Sequence, residues 1–203
     1  MEKEKGITLV EIAVSLVIIT MFSAILISNF PRIKASFSVT RAAYKLAQDL
    51  RRAQDLGLSG TQIKGSSDGS SIKVQGYGIH MSINLDGYEY TGNNEYWIYA
   101  NSCLNQGLYY IAPWVLCTTG DYIVEKIKFD DVDVYIKNFN DIVGGGDTKN
   151  GWMDINFSPP SPTTTINNKC STCNSINITL SNHSFPDQIK RVVVNTSGLI
   201  EVK

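Results

Sequence analysis

From Ile12 to Pro31 the chain runs twenty residues without a charge, and Ser15, Thr20, Ser23, Ser28 and Asn29 are the only polar positions among them. At about 1.5 Å of helical rise per residue this run covers roughly 30 Å, the thickness of a bilayer core. Beyond Pro31 the period stays helical while the surface becomes two-sided. Ile33, Phe37, Thr40, Tyr44, Ala47 and Leu50 recur every three or four residues, and Ala43, Leu46 and Ala53 widen the stripe. Arg41, Lys45, Asp49, Arg52 and Asp55 fall mostly outside it. The pattern predicts one long helix, membrane-spanning over 7–31 and amphipathic over 32–58. Pro31 lacks an N–H and crowds the preceding turn, so it is expected to bend this helix rather than end it. Gly57 and Gly60 supply the stop signal.

From Thr61 onward short β-branched and aromatic runs are punctuated by Gly, Asn, Asp, Ser and Thr, which predicts strands and polar turns over 61–203. Met153, Ile155 and Phe157 alternate with Asp154 and Asn156, and Ile176, Ile178 and Leu180 with Asn177 and Thr179, each reading as a strand with one buried face. In "EKIKFDDVDVYIK" the apolar parity shifts between Phe129 and Val132, placing a bulge or tight turn at Asp130-Asp131. Asp131 and Asp133, opposite Val132 and Val134, read as a solvated strand face. "RVVVNTSGLIEV" reads as two strands about a turn at Asn195 to Gly198, and "GGGDTKNG" at 144–151 as a flexible loop. The fold expected is α+β: a long N-terminal helix packed against a C-terminal antiparallel β head.

The 203 residues suit one domain plus an appendage, and a net charge of -1 gives no global basic field for nucleic acid. A secretory signal peptide needs an apolar stretch of only about 7 to 15 residues and a small-x-small cleavage site, and here Phe30-Pro31-Arg32 and more helical pattern follow instead. A single-pass anchor of an unrelated domain satisfies the hydropathy equally well.

Chemistry is sparse. "GSSDG" at 65–69 satisfies G-x-S-x-G with Ser67 in the nucleophile position, but that motif needs a strand before it and a helix after it, the reverse of the pattern here. No phosphate-cradling glycine loop or His-Glu-x-x-His occurs, and His80 and His183 stand alone, so neither an enzyme nor a cofactor or metal site is expected. Cys103, Cys117, Cys170 and Cys173 all follow the apolar run, which points to an oxidising compartment. A Cys103–Cys117 bridge would close a loop of about 15 residues, worth roughly 3 kcal/mol. Cys170 and Cys173 could form a local bridge or join the other two around zinc, the weaker alternative given the unequal spacing and no neighbouring histidine.

Glu11 is the anomaly. An ionised carboxylate at the bilayer centre costs on the order of 3 kcal/mol, less near the interface, and intramembrane charges are functional candidates by default. A mere boundary marker would have polar residues before it, whereas Ile7, Leu9 and Val10 are apolar. The charged "MEKEK", then Gly6, Ile7, Thr8, Leu9 and Glu11 ahead of a membrane-length run resemble the N-terminus of type IV prepilins and type II secretion pseudopilins. The resemblance implies a leader over 1–6, cleavage between Gly6 and Ile7 by a prepilin peptidase, and N-methylation of Ile7, although phenylalanine or methionine is commoner there. It also implies that Glu11 of one subunit meets the freed amine of a neighbour, a pair that would set register where hydrophobic contact alone does not.

"LAQDLRRAQDLGLSG", "GYGIHM", "INFSPPSPT" and the final "RVVVNTSGLIEV" are similar, more loosely, to segments of the GspH- and FimT-like minor pseudopilins. The function implied is that of a structural subunit of a secretion pseudopilus or type IV pilus. Its partners would be the prepilin peptidase, other pilins, an inner-membrane assembly platform and the lipid bilayer. Flanking charges do not orient the span, but the leader and the cysteines argue for a cytoplasmic N-terminus and a periplasmic or extracellular head. The alternative is a tip protein binding DNA for uptake, supported by Arg32, Lys34, Arg41, Lys45, Arg51 and Arg52 and by the aromatic region from Tyr77 to Trp114.

Overall fold

The computed structural model describes residues 7–64, 71–72, 74–83, 93–101, 122–141, 147–148, 151–159, 163–167 and 174–203. Helix α1 runs as one element of 51 residues from Leu9 to Ser59, with Pro31 inside it. Thr8 caps its N-terminus in an extended conformation, its hydroxyl accepting the Glu11 N–H at 3.3 Å. At the other end Gly60 takes a left-handed φ of 60° and returns its N–H to the Gly57 carbonyl. Gly60 alone is therefore the stop. Gly57 lies inside the helix, where a methyl group would collide with the Phe157 carbonyl, so its role is close approach to the head.

The head follows as strands β1 (Ile63–Lys64), β2 (Ser71–Ile72), β3 (Gly76–Ile83), β4 (Glu95–Asn101), β5 (Tyr122–Lys128) and β6 (Val134–Asp141). Then come β7 (Asp147–Thr148), β8 (Gly151–Ser158), β9 (Thr163–Asn167), β10 (Ser175–Asn182), β11 (Ile189–Asn195) and β12 (Ile200–Val202). One five-stranded sheet has the order β5-β4-β3-β8-β9, a second β12-β11-β10-β6-β7, and β1-β2 form a small ribbon. Every pairing is antiparallel. Inward residues of both large sheets, including Ile79, Ile98, Ile155, Ile136, Ile178 and Val192, share one core with Leu46 and Leu50 of the helix. The α+β layout expected from the sequence is the one observed.

The buried face of α1 comprises Ala35, Val39, Ala42, Ala43, Leu46, Ala47, Leu50, Ala53 and Gly57. Ile33, Phe37 and Tyr44, expected in the same stripe, instead face away from the head and are 49%, 71% and 56% exposed. The reason is steric. Two sheets approach the helix closely, and alanine and glycine admit that approach where phenylalanine and tyrosine would hold the layers apart.

The parity shift near Asp130-Asp131 is a turn, as expected, but it carries the chain from one sheet to the other. Asp131 and Asp133 thus lie in the connection from β5 to β6 and not on a strand face. The β8 strand departs from a one-sided pattern too: Asp154 and Asn156 are buried along with Met153, Ile155 and Phe157. Asp154 Oδ1 meets His80 Nδ1 at 2.6 Å and Asn156 Nδ2 donates to Ser158 Oγ at 2.9 Å, which offsets part of the cost of that burial, whereas Asn156 Oδ1 is buried without a partner among the described residues. The turn in "RVVVNTSGLIEV" falls where expected, with Gly198 at φ 83° and the Asn195 side chain accepting the Leu199 N–H.

Candidate functional site

The N-terminal part of α1 is long and apolar enough to cross a membrane, and none of its most apolar stretch is covered by the head. Ser15, Thr20 and Asn29 bond back to the helix itself: Ser15 Oγ donates to the Glu11 carbonyl at 2.8 Å, Thr20 Oγ1 to that of Val17 and Asn29 Nδ2 to that of Ile25, each at 2.9 Å. Such back-bonding removes the penalty of naked polar groups in lipid. At the tip, Ile7 and Glu11 are exposed. Thr8 and Glu11 stand at capping-box spacing, so Glu11 also places negative charge where the helix dipole is positive. That local role is readable from Thr8-Leu9-Val10-Glu11 and is absent from an account based on membrane burial alone.

At 100° per residue, Ile33, Phe37 and Tyr44 project roughly opposite the Leu46–Leu50 face. Phe22, Leu26 and Phe30 occupy the same sector, so one exposed apolar stripe runs from the span past Pro31 to Tyr44, about 20 Å beyond it. Two apolar stripes therefore share the helix beyond Pro31, one against the head and one unpartnered.

The basic residues of α1 are largely engaged by the head. Arg32 pairs with Asp187, Arg41 and Lys45 with Asp130 at 3.0 and 3.2 Å, and Arg52 with Glu125 at 2.7 Å. Arg51 donates to the Ile200 carbonyl and Gln54 to that of Gly198. Ser38 donates to Asp131 at 2.6 Å. That bond, then the Asp133 N–H and the Lys34 charge, hold the Asp131 carboxyl below the ordinary carboxylate range. Asp187 is lowered as well, by the Gln188 amide and then Arg32. Burial raises the Tyr77 hydroxyl. Burial also pushes the Tyr96 hydroxyl far upward, assisted by its 2.5 Å hydrogen bond to Asp49 and by the Asp49, Glu125 and Asp130 charges.

His80 is buried against Asp154 and 5.9 Å from the Trp97 ring, whereas His183 is exposed and stacks on Tyr135 with centroids 4.0 Å apart. Of the aromatic region, Tyr77, Tyr96, Trp97 and Tyr99 are core residues and offer no open stacking platform. Among the described residues no group of three or more His, Cys, Asp or Glu converges. Gly6, Ser67, Cys103, Trp114, Cys117, Cys170, Cys173 and positions 144–146 and 149–150 of the expected loop lie outside the described residues, whereas Asp147–Thr148, expected in that loop, pair as β7 and Gly151 opens β8. No protein-family profile, curated protein or solved structure matches the chain.

Proposed function

We propose that the protein is a minor pilin or pseudopilin, a subunit that enters or primes a short filament of a type II secretion or type IV pilus system. In this reading a prepilin peptidase cuts between Gly6 and Ile7, Ile7 is N-methylated, and residues 7–31 span the cytoplasmic membrane before packing in the filament. Glu11 then pairs with the amine of a neighbouring subunit, and the head stands on the periplasmic or outer side.

The observation that carries the proposal is the exposed stripe Ile33, Phe37 and Tyr44, continuous with Phe22, Leu26 and Phe30. A plain anchor needs apolar surface only within lipid. Burying an exposed large apolar side chain is worth about 1.5–3 kcal/mol, and a stripe that continues past Pro31 offers this gain to another helix alongside. The pairing of Arg32, Arg41, Lys45 and Arg52 with head carboxylates weighs against DNA uptake as the role of this face.

The decisive experiment is the mass of the chain extracted from membranes of cells that process prepilins. The expected result is a chain beginning at Ile7 with one added methyl group. Retention of residues 1–6 would leave a simple anchored domain in its place.

A further inference from the structure

Between the first turns of α1 beyond Pro31 and the connection from β5 to β6 lies an open groove of about 390 Å³. Lys34, Ser38, Arg41 and Lys45 form its helix wall. Asp130, Asp131 and Val132 form the loop wall, over a floor of Ala42 and Phe129. We propose that this groove holds the phosphate of a bilayer lipid headgroup.

Depth is the first reason. Lys34 stands three residues past Pro31, about 5 Å above the end of the apolar span, and the headgroup layer extends some 5–7 Å from the hydrocarbon core. The lower mouth of the groove therefore opens at the level of lipid phosphates.

Charge is the second. Three cations face two carboxylates, and the carboxylates are already occupied. Asp130 takes both Arg41 and Lys45, while Asp131 accepts from Ser38 and from the Asp133 N–H. Lys34 makes no ion pair among the described residues, although its charge acts on Asp131. The lining therefore keeps one net positive charge, and Lys34, held in no direct ion pair, is the cation placed to meet a phosphate, which an ammonium suits as a point charge.

Val132 is the third reason. It is 78% exposed at the tip of a turn otherwise made of aspartates. In water that apolar side chain gains nothing; against a glycerol backbone or upper acyl carbons it is buried. A nucleic-acid phosphate would share the charge chemistry but would not explain Val132 or the depth.

The inference rests only on α1 spanning the membrane, not on cleavage or filament assembly. An uncut N-terminus would therefore sink the pilin proposal and leave this one standing. The test uses the full chain in detergent micelles doped with phosphatidylglycerol or with diacylglycerol of the same acyl chains, read by native mass spectrometry. One phosphatidylglycerol should stay bound while diacylglycerol is lost. Lys34→Gln should reduce retention about fivefold, the effect of one basic residue at an anionic lipid surface, and Lys34→Arg should restore it. Equal retention by wild type and Lys34→Gln would overturn the proposal, as would retention of diacylglycerol. So would displacement of the lipid by millimolar inorganic phosphate or by a short DNA strand, which would mark the groove as a general phosphate site.

Discussion

At the scale of single residues, Glu11 carries two roles that one substitution can separate. As the fourth residue of Thr8-Leu9-Val10-Glu11 it belongs to a helix cap, and glutamine serves that position as glutamate does. Under the proposed function it is, as a charge at the mouth of an apolar span, also the partner of a neighbouring subunit's amine, and glutamine cannot serve there. Glu11→Gln should therefore leave the protein folded and membrane-inserted, with only a small dipole penalty of about 0.3–1 kcal/mol, while filament yield in a pelleting assay falls to background. Thr8→Ala should do the opposite, weakening the first helical turn by about 1 kcal/mol while sparing assembly. Equal filament yields for wild type and Glu11→Gln would reduce Glu11 to a cap. The cap was legible in four consecutive residues. The acid turn was not: Asp130, Asp131 and Asp133 bind Ser38, Arg41, Lys45 and Ser184, partners far away in the chain, and no local pattern announces such pairings.

Elements were more readable than their arrangement. Helix ends, the helix running on past Pro31, the alternating strands around Ile155 and Ile178, and the turn at Asn195 to Gly198 all follow from local periodicity and turn chemistry. The division of the strands into two sheets does not, because the sheet a strand joins depends on pairing across long separations. Helix phase is an intermediate case. The stripe through Ile33, Phe37 and Tyr44 is the more hydrophobic by residue type, but the head selects the small residues Ala35, Ala42 and Ala43 because distance of approach decides.

Tyr96 of β4 ties the sheet to the helix through Asp49, and this contact has a pH signature. Its hydroxyl titrates near 10.0 when unfolded and well above that when folded. The folded state thus retains a proton that the unfolded state releases, so the stabilisation is fully present below pH 10 and lost as pH rises beyond it. Urea unfolding in micelles, followed by tryptophan fluorescence, should show stability falling between pH 10 and 11.5 with a slope approaching about 1.4 kcal/mol per pH unit from this group. Tyr96→Phe should be less stable at neutral pH and should lose that part of the slope. An unchanged slope would show that the hydroxyl ionises freely in the folded protein.

For the whole molecule, the governing feature is a helix with two clients. Beyond Pro31 one face is consumed by the head, which fixes the head's rotation about the helix and leaves the opposite face open along its length. The ion pairs from Arg32 to Arg52 reinforce that rotation, since a head turned about the axis would leave Asp130, Glu125 and Asp187 facing away from their partners. A stripe held in a fixed direction can guide a neighbouring helix; one on a freely rotating head could not. The consequence is a clean division between folding and association. Phe37→Asp and Tyr44→Asp alter residues that touch little of the head, so each should change unfolding stability by no more than about 0.5 kcal/mol, the usual effect of a surface substitution. If the outer stripe meets a partner helix as proposed, the same changes bring charge into that contact and should abolish recovery of the chain in sedimented filaments while leaving it in the membrane fraction. Leu46→Ala on the inner face should reverse the pattern, costing about 2–5 kcal/mol of stability and reducing filaments only as far as it reduces folded protein. If Phe37→Asp and Tyr44→Asp assembled as the wild type does, the outer stripe would have no partner helix, and contact between subunits would be confined to the segment ahead of Pro31.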